Sequence, residues 1–249
     1  MQPFLRVCWL ASSRTRERAA QAQPDADAVG DYLHAIALSG VTEASAAYQL
    51  VEGGPQQRSI MANMERMGRA MDVGEAYSTK PDTLVITALD TLDAAMALEA
   101  HLDGRTDDGP LVVASGVYRE ITFTDGVEDG AEQGFAPAIQ FGVFDMRSAA
   151  DERAVTEWYR DRRLRSFSTL PGGIRARRLV SACGGPAKFA IFYEFVSLEA
   201  RMQHFEPMNL LDHEVEPVTP AEVGDGARLI ADRTVHPPMS PSIGSLLAL

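Results

Sequence analysis

Apolar residues along the chain fall into short alternating runs and longer stretches at helical spacing, separated by Gly, Pro and capping residues. Residues 4–10 read as a strand, and 25–38 as a helix opened by Pro24-Asp25 and stopped before Gly40. Residues 41–51 and 83–89 read as strands, the latter rich in Val, Ile and Thr. Thr91 caps a helix running to Leu102, and 111–123 forms a closing strand. The order then recurs: strand 139–144, helix 151–170, strands 174–183 and 189–195, helix 197–205 and strand 228–235.

The two passes share local punctuation. Thr91-Leu92-Asp93-Ala94-Ala95-Met96 and Ser197-Leu198-Glu199-Ala200-Arg201-Met202 both follow a strand, and Gly53-Gly54-Pro55 is echoed by Gly184-Gly185-Pro186. Matched punctuation in matched order predicts two copies of one unit. Each unit is βαββαβ, so the expected class is α+β: two tandem ferredoxin-like units whose antiparallel sheets pack into an α+β barrel. Their expected bounds are 1–130 and 131–249. The first carries an insertion, 56–81, in which Ile60, Met61, Met64, Met67 and Met71 make one apolar stripe, read either as a core-facing helix or as a lid. The second carries a long connection, 206–226, and a Pro- and Ser-rich C-terminal tail, 236–249, read either as docking on a partner subunit or as a frayed end.

A formal charge of −12 over 249 residues argues against a phosphate-backbone partner, so nucleic acid is not expected. The cluster Arg160, Arg162, Arg163 and Arg165, followed by Arg175, Arg177 and Arg178, is the exception and suits either water or an anionic ligand. No run is long and apolar enough to predict a membrane span, and Cys8 and Cys183 have no metal-type spacing. A cytoplasmic protein is expected.

The second unit resembles a family. Glu157-Trp158-Tyr159, then Leu170-Pro171-Gly172-Gly173-Ile174-Arg175-Ala176-Arg177-Arg178, Gly184-Gly185-Pro186 and Phe189-Ala190-Ile191-Phe192-Tyr193-Glu194 are similar to dimeric α+β barrel proteins of the EthD-like group. The family's His-Leu pair reads Arg163-Leu164 here, while Asp31-Tyr32-Leu33-His34 occupies the matching helix of the first unit. The resemblance implies a small apolar pocket and a range of cofactor-independent monooxygenases, isomerases, decarboxylases and other lyases acting on ring compounds. It also extends to haem enzymes with two fused barrel units in one chain.

From the residues, His34, His204 and His213 are the candidate proton carriers, Arg163 the candidate anion binder, and Tyr32, Tyr159 and Tyr193 the candidate ring-orienting phenols. Glu194 lies inside an apolar strand, so burial would leave it paired or raise its pKa. His204, Glu206, His213 and Glu214 match no standard metal spacing, and neither a metal nor an organic cofactor is expected. The expected function is a cofactor-independent lyase or isomerase using acid/base chemistry on a hydrophobic, aromatic catabolic intermediate. A cofactor-free monooxygenase and a non-catalytic ligand-binding or stress protein are the alternatives, with a homodimer possible in each case.

Overall fold

In strands β1 (Phe4–Ala11), β3 (Thr83–Leu89) and β7 (Phe189–Phe195) nearly every side chain is buried on both faces. Side chains of a strand alternate between faces, so these strands must be covered on both. The computed structural model, which describes residues 4–11, 26–42, 44–54, 58, 79–103, 110–130, 134–208 and 233–248, shows how.

The first unit runs β1, α1 (Ala26–Leu38), β2 (Ala44–Val51), β3, α2 (Leu92–Asp103) and β4 (Leu111–Asp125). The second begins with β5 (Ala138–Met146) and α3 (Ala149–Trp158), which passes through a π-helical turn, Tyr159–Arg163, into α4 (Leu164–Phe167). It continues with β6 (Gly173–Gly184), β7 and α5 (Leu198–Ala200), which leads into a second π-helical turn, Arg201–Phe205. Short β8 (Thr234–Val235) and then β9 (Ser242–Leu246) end it.

The sheet order is β7-β6-β4-β1-β3-β2-β9-β5-β8, and β7 also pairs with β5, which closes eight antiparallel strands into a barrel. Within each unit the order is that of a ferredoxin-like sheet. The fourth strand of each unit pairs with the second strand of the other: β4 with β6, and β9 with β2. The predicted final strand, 228–235, is corrected here. Only Thr234–Val235 is a strand among its described residues, and the barrel is closed by β9, from the stretch read as a tail. The misreading has a physical source, since Pro237, Pro238 and Pro241 resemble loop punctuation, whereas Ser242 faces the barrel interior, Ile243 is buried and β9 bonds to β2 and β5.

Alternation separates three cores. Leu5, Val7, Trp9, Tyr48, Leu84, Ile86, Tyr118, Phe141 and Phe192 fill the barrel with no helical residue among them. The second-unit helices cover Phe144, Ala176, Tyr193 and Phe195, and the first-unit helices cover Cys8, Leu10, Val85 and Val117. Inside the barrel Phe141 meets Trp9 and Tyr118 edge-on at 5.8 Å each, and Phe192 at 5.7 Å. The polar ends of the first unit's inner aromatics all bond to the second unit: Trp9 Nε1 donates to Ser242 Oγ (2.8 Å), Tyr48 Oη to the Ala136 carbonyl (3.0 Å) and Tyr118 Oη to the Ala187 carbonyl (3.3 Å).

The repeated hexapeptide is an N-capping device. Thr91 Oγ1 accepts from the Ala94 N–H and Ser197 Oγ from the Ala200 N–H, both at 3.0 Å. The Gly-Gly-Pro echo follows β2 and β6, and at Gly185 (φ 91°) a Cβ would sit 2.5 Å from Tyr118 Oη. The methionine stripe of the insertion lies outside the described residues. Among the described residues no helix is long and apolar enough to cross a membrane.

Phe141 touches aromatic partners from both units, so Phe141→Ala should lower the unfolding free energy by about 3–5 kcal/mol. Phe123→Ala, at a position 39% exposed, should cost under about 1 kcal/mol. Urea denaturation of the two variants beside the wild type checks the contrast.

Candidate functional site

Two π-helical turns lie over the second unit's sheet, and each carries a buried arginine, Arg163 and Arg201. A π turn adds a residue per turn and so re-aims side chains, which is why such turns gather at functional positions. Arg163 Nε donates to Tyr193 Oη at 3.1 Å, and its guanidinium lies 4.5 Å from the Phe205 ring centroid, 5.5 Å from Tyr193 and 6.0 Å from Trp158. Trp158 meets Tyr159 edge-on at 4.9 Å, and Tyr159 stacks on Phe144 at 6.1 Å. Three predicted residues, Tyr159, Arg163 and Tyr193, therefore come together at one helix–sheet seam. Their neighbours Arg160, Arg162 and Arg165 are exposed, so the basic cluster is mostly a solvated face with one inward member.

Arg201 was not singled out by the sequence reading. Its Nε and Nη2 both donate to Gln140 Oε1, at 3.0 and 2.7 Å, and its Nη1 pairs with Glu206. The Glu206 carboxylate rests where a Cβ on Gly54 would be, which ties the first unit's Gly-Gly-Pro turn to this network. Only its place inside the repeated hexapeptide, at the position where the first copy has Ala95, hinted that position 201 is fixed.

Tyr32 belongs elsewhere. In the first unit Arg6 is buried on β1 and binds Glu99 through Nε (2.6 Å) and Tyr32 Oη through Nη2 (3.0 Å), while the Tyr32 hydroxyl donates to Cys8 Sγ at 3.4 Å. Burial pushes the Cys8 thiol and the Tyr32 phenol above their usual ranges. Both units thus hold an Arg–Tyr pair between helix and sheet with the residues exchanged: strand Arg and helix Tyr in the first, helix Arg and strand Tyr in the second.

Glu194 behaves as its sequence setting required. It is fully buried on the barrel side of β7, 3.0 Å from Arg177 Nη2, and burial raises its pKa against the opposing pull of Arg177. Glu120, on the same side of β4, is also raised by burial. A groove of about 210 Å³ between β2 and β9, lined by Leu50, Lys80, Met239, Ser242 and Ile243, carries no comparable set of polar groups.

The histidines do not assemble as expected. His34 and His204 are exposed on their helices, so the notion of His34 opposing Arg163 is corrected; His213 lies outside the described residues. The imidazole that is tucked in is His236, beside Phe144 (5.7 Å), with Thr234 Oγ1 at 3.1 Å from Nε2 and Ser240 Oγ at 3.3 Å from Nδ1. Desolvation pushes its pKa down to about 4.

These placements test the haem implied by the resemblance. An axial imidazole needs one ring nitrogen aimed at iron and the other held by a second group. Among the described residues His34, His101 and His204 face solvent and both nitrogens of His236 are engaged, so no described histidine is set as an axial ligand. Nor do His204 and Glu206 begin a metal site, for Glu206 is committed to Arg201, and no group of three or more metal-binding side chains forms among the described residues.

No family model and no curated protein matches the sequence. The fold does have solved counterparts. An anthrone oxidase-like protein is similar with a TM-score of 0.55 at 12% identity, covering 98% of this chain and 92% of the other. A dye-decolorizing protein from V. cholerae follows at 0.52 and 13% identity, covering 99% and 94%, and a chlorite dismutase variant from Candidatus Nitrospira defluvii at 0.52 and 9%, covering 99% and 92%. Identities this low establish the ferredoxin-like α+β barrel alone. They also correct the functional expectation. The cofactor-independent lyase or isomerase had been drawn from a resemblance of fold, and the full-length counterparts of that fold are named as oxidase-like, dye-decolorizing and dismutase proteins.

His236 supplies a pH test. Between about pH 6.5 and about 4 the unfolded chain binds a proton at this ring that the folded chain refuses, so stability falls as the pH drops through that window. The loss should amount to roughly 2–3 kcal/mol. His236→Gln should flatten this part of the profile in urea denaturation run at stepped pH.

Proposed function

We propose that the protein is an oxidoreductase that withdraws electrons from a small ring compound bearing an ionisable oxygen, bound at the second unit's helix–sheet seam. The hydrogen bond from Arg163 Nε to Tyr193 Oη, inside a cage of Trp158, Tyr193 and Phe205, carries the reading. A guanidinium keeps its charge at any working pH and donates in a fixed plane. Polarised this way, the Tyr193 hydroxyl becomes a stronger donor toward a substrate oxygen on which negative charge develops. A ring whose oxygen approaches the anion gives up electrons more readily, and Tyr159 and Trp158 supply faces on which it can lie. Loss of two electrons and two protons from a hydroxylated ring reduces dioxygen to hydrogen peroxide, or hydrogen peroxide to two waters. The oxidase-like and dye-decolorizing counterparts of the barrel support this direction. No step is assigned to haem.

The units, 1–130 and 131–249, are copies from a tandem duplication of an EthD-like ancestor, supported by the shared strand order and by the paired Thr91 and Ser197 caps. The protein works in the cytoplasm on a free small molecule. Closure of the barrel within one chain leaves no open inner sheet face for a homodimer to cover, so a second copy would join through outer surfaces.

Hydroxylated one- to three-ring aromatics, supplied with dioxygen or with hydrogen peroxide, should be oxidised, as followed by an oxygen electrode and by product absorbance. Arg163→Met should lower kcat/KM by about 10²-fold, Arg163→Lys should recover part of the loss, and Tyr193→Phe should cost about 10-fold. His213→Ala completes the set as the candidate base in the connection. Absence of oxidation with either acceptor, or an unchanged rate in Arg163→Met, would overturn the reading.

A further inference from the structure

One buried cation in the second unit has no part in this chemistry. Arg178 on β6 is 2% exposed and points to the helix side of the sheet. Its Nη2 donates to Thr156 Oγ1 at 2.8 Å, its guanidinium lies 5.2 Å from the Tyr159 ring centroid and 5.8 Å from that of Phe189, and its Nε finds no hydrogen-bond partner. Three other buried arginines each face a glutamate: Arg6 with Glu99, Arg177 with Glu194, and Arg201 with Glu206.

The acidic side chains of the covering helix and of the end of β5 are engaged with other groups, among them Glu152, whose charge reaches Arg178. Glu152 holds Lys188 Nζ at 2.5 Å, Asp151 holds Arg233 Nη1 at 3.1 Å, and Asp145 accepts the Lys188 backbone N–H at 2.6 Å. Burial pushes the guanidinium's pKa down against the opposing pull of Tyr159 and Glu152, the direction that a bound anion reverses. An unpaired buried charge is among the costlier features a core can keep. This one lies just beneath the surface, since Thr156 on the helix and Thr122 across β4 are both exposed.

We propose that Arg178, Thr156 and Tyr159 form a binding site for the carboxylate of a small aromatic acid. The Nε edge of a guanidinium presents two parallel N–H groups that match two carboxylate oxygens. Thr156, having accepted from Nη2, keeps its own O–H to donate. The wall beside the guanidinium is aromatic, for the buried Tyr159 stacks on Phe144, which in turn stacks on Phe189 at 6.2 Å, with Lys188 Nζ 4.9 Å from the Phe189 centroid at its outer end. Tyr159 borders the oxidation site as well, yet the carboxylate site depends on no turnover and stands or falls by binding alone.

Benzoate is the probe, titrated calorimetrically into the full-length protein at fixed ionic strength, with benzamide and inorganic phosphate as comparison ligands. Benzoate should bind and raise Tm, and the other two should not. Arg178→Met should weaken benzoate at least ten-fold while remaining as stable as the wild type or more so, because it removes a charge that lacks a partner. Should that variant fail to fold, the stability claim is wrong, and Thr156→Val, at an exposed position, decides the site through a several-fold loss of benzoate affinity. Equal responses to benzoate and benzamide, equal responses to benzoate and phosphate, or full benzoate binding by Arg178→Met or Thr156→Val would overturn the proposal.

Discussion

A four-stranded sheet with helices on one face leaves its other face apolar, and in this protein that face is closed by the other unit of the same chain. The closure rests on a small aromatic centre. Trp9 and Tyr118 from the first unit converge on Phe141, with Phe192 beside it from the second, while the indole and phenol groups of Trp9, Tyr48 and Tyr118 all take their hydrogen bonds from across the seam. Buried Trp and Tyr need such partners, and here one unit cannot provide them for itself. With the inner volume filled in this way, the polar chemistry of the helix sides is displaced to the two outer seams.

The two seams share a layout and differ in how their charges are met. In the first, Arg6, Glu99, Tyr32 and Cys8 form a closed set in which the charge is neutralised locally. In the second, two π turns bring Arg163 and Arg201 inward, Arg201 is neutralised by Glu206, and Arg178 stands apart with a hydroxyl and two rings. A scaffold satisfied on one side and electrically incomplete on the other has the asymmetry expected when only one of two matched units is used.

Much of this was legible in the sequence. All elements of the first unit, those of the second up to β7 and its following helix, the barrel class and the sharing of a face by Phe189, Ile191, Tyr193 and Phe195 follow from periodicity, because strand and helix patterns are local. Glu194 was flagged correctly since a carboxylate in an apolar strand leaves few options. The site was harder. Tyr159, Arg163 and Tyr193 could be placed on the right elements, Arg163 by its position in the resemblance, but a π turn has no composition of its own, so periodicity alone does not say which arginine of 160–165 turns inward. His34 and His204 were chosen for their chemistry, and chemistry says nothing of the side of a helix. Arg6 and Arg201 stand out in no local pattern, and Arg178 only as one of a basic group suited to water or an anion, because burial is decided by partners far away in sequence, as with Arg6 and Glu99. β9 was missed because its prolines flank a strand that is held by β2 and β5 rather than by its own propensity.

That strand also sets the order of events as the polypeptide is made. The β2–β9 pairing joins positions such as Tyr48 and Leu246, so it forms only after both units have been synthesised. Until then the first unit, though able to form its helices and hairpins, presents Trp9, Tyr48, Leu84 and Ile86 to water along an unpaired β2 edge. Contacts between ends so far apart in sequence form slowly, and an open apolar sheet is what chaperones engage. The nascent chain is therefore most exposed to aggregation while its second unit is being translated, although nothing in the finished barrel betrays that interval.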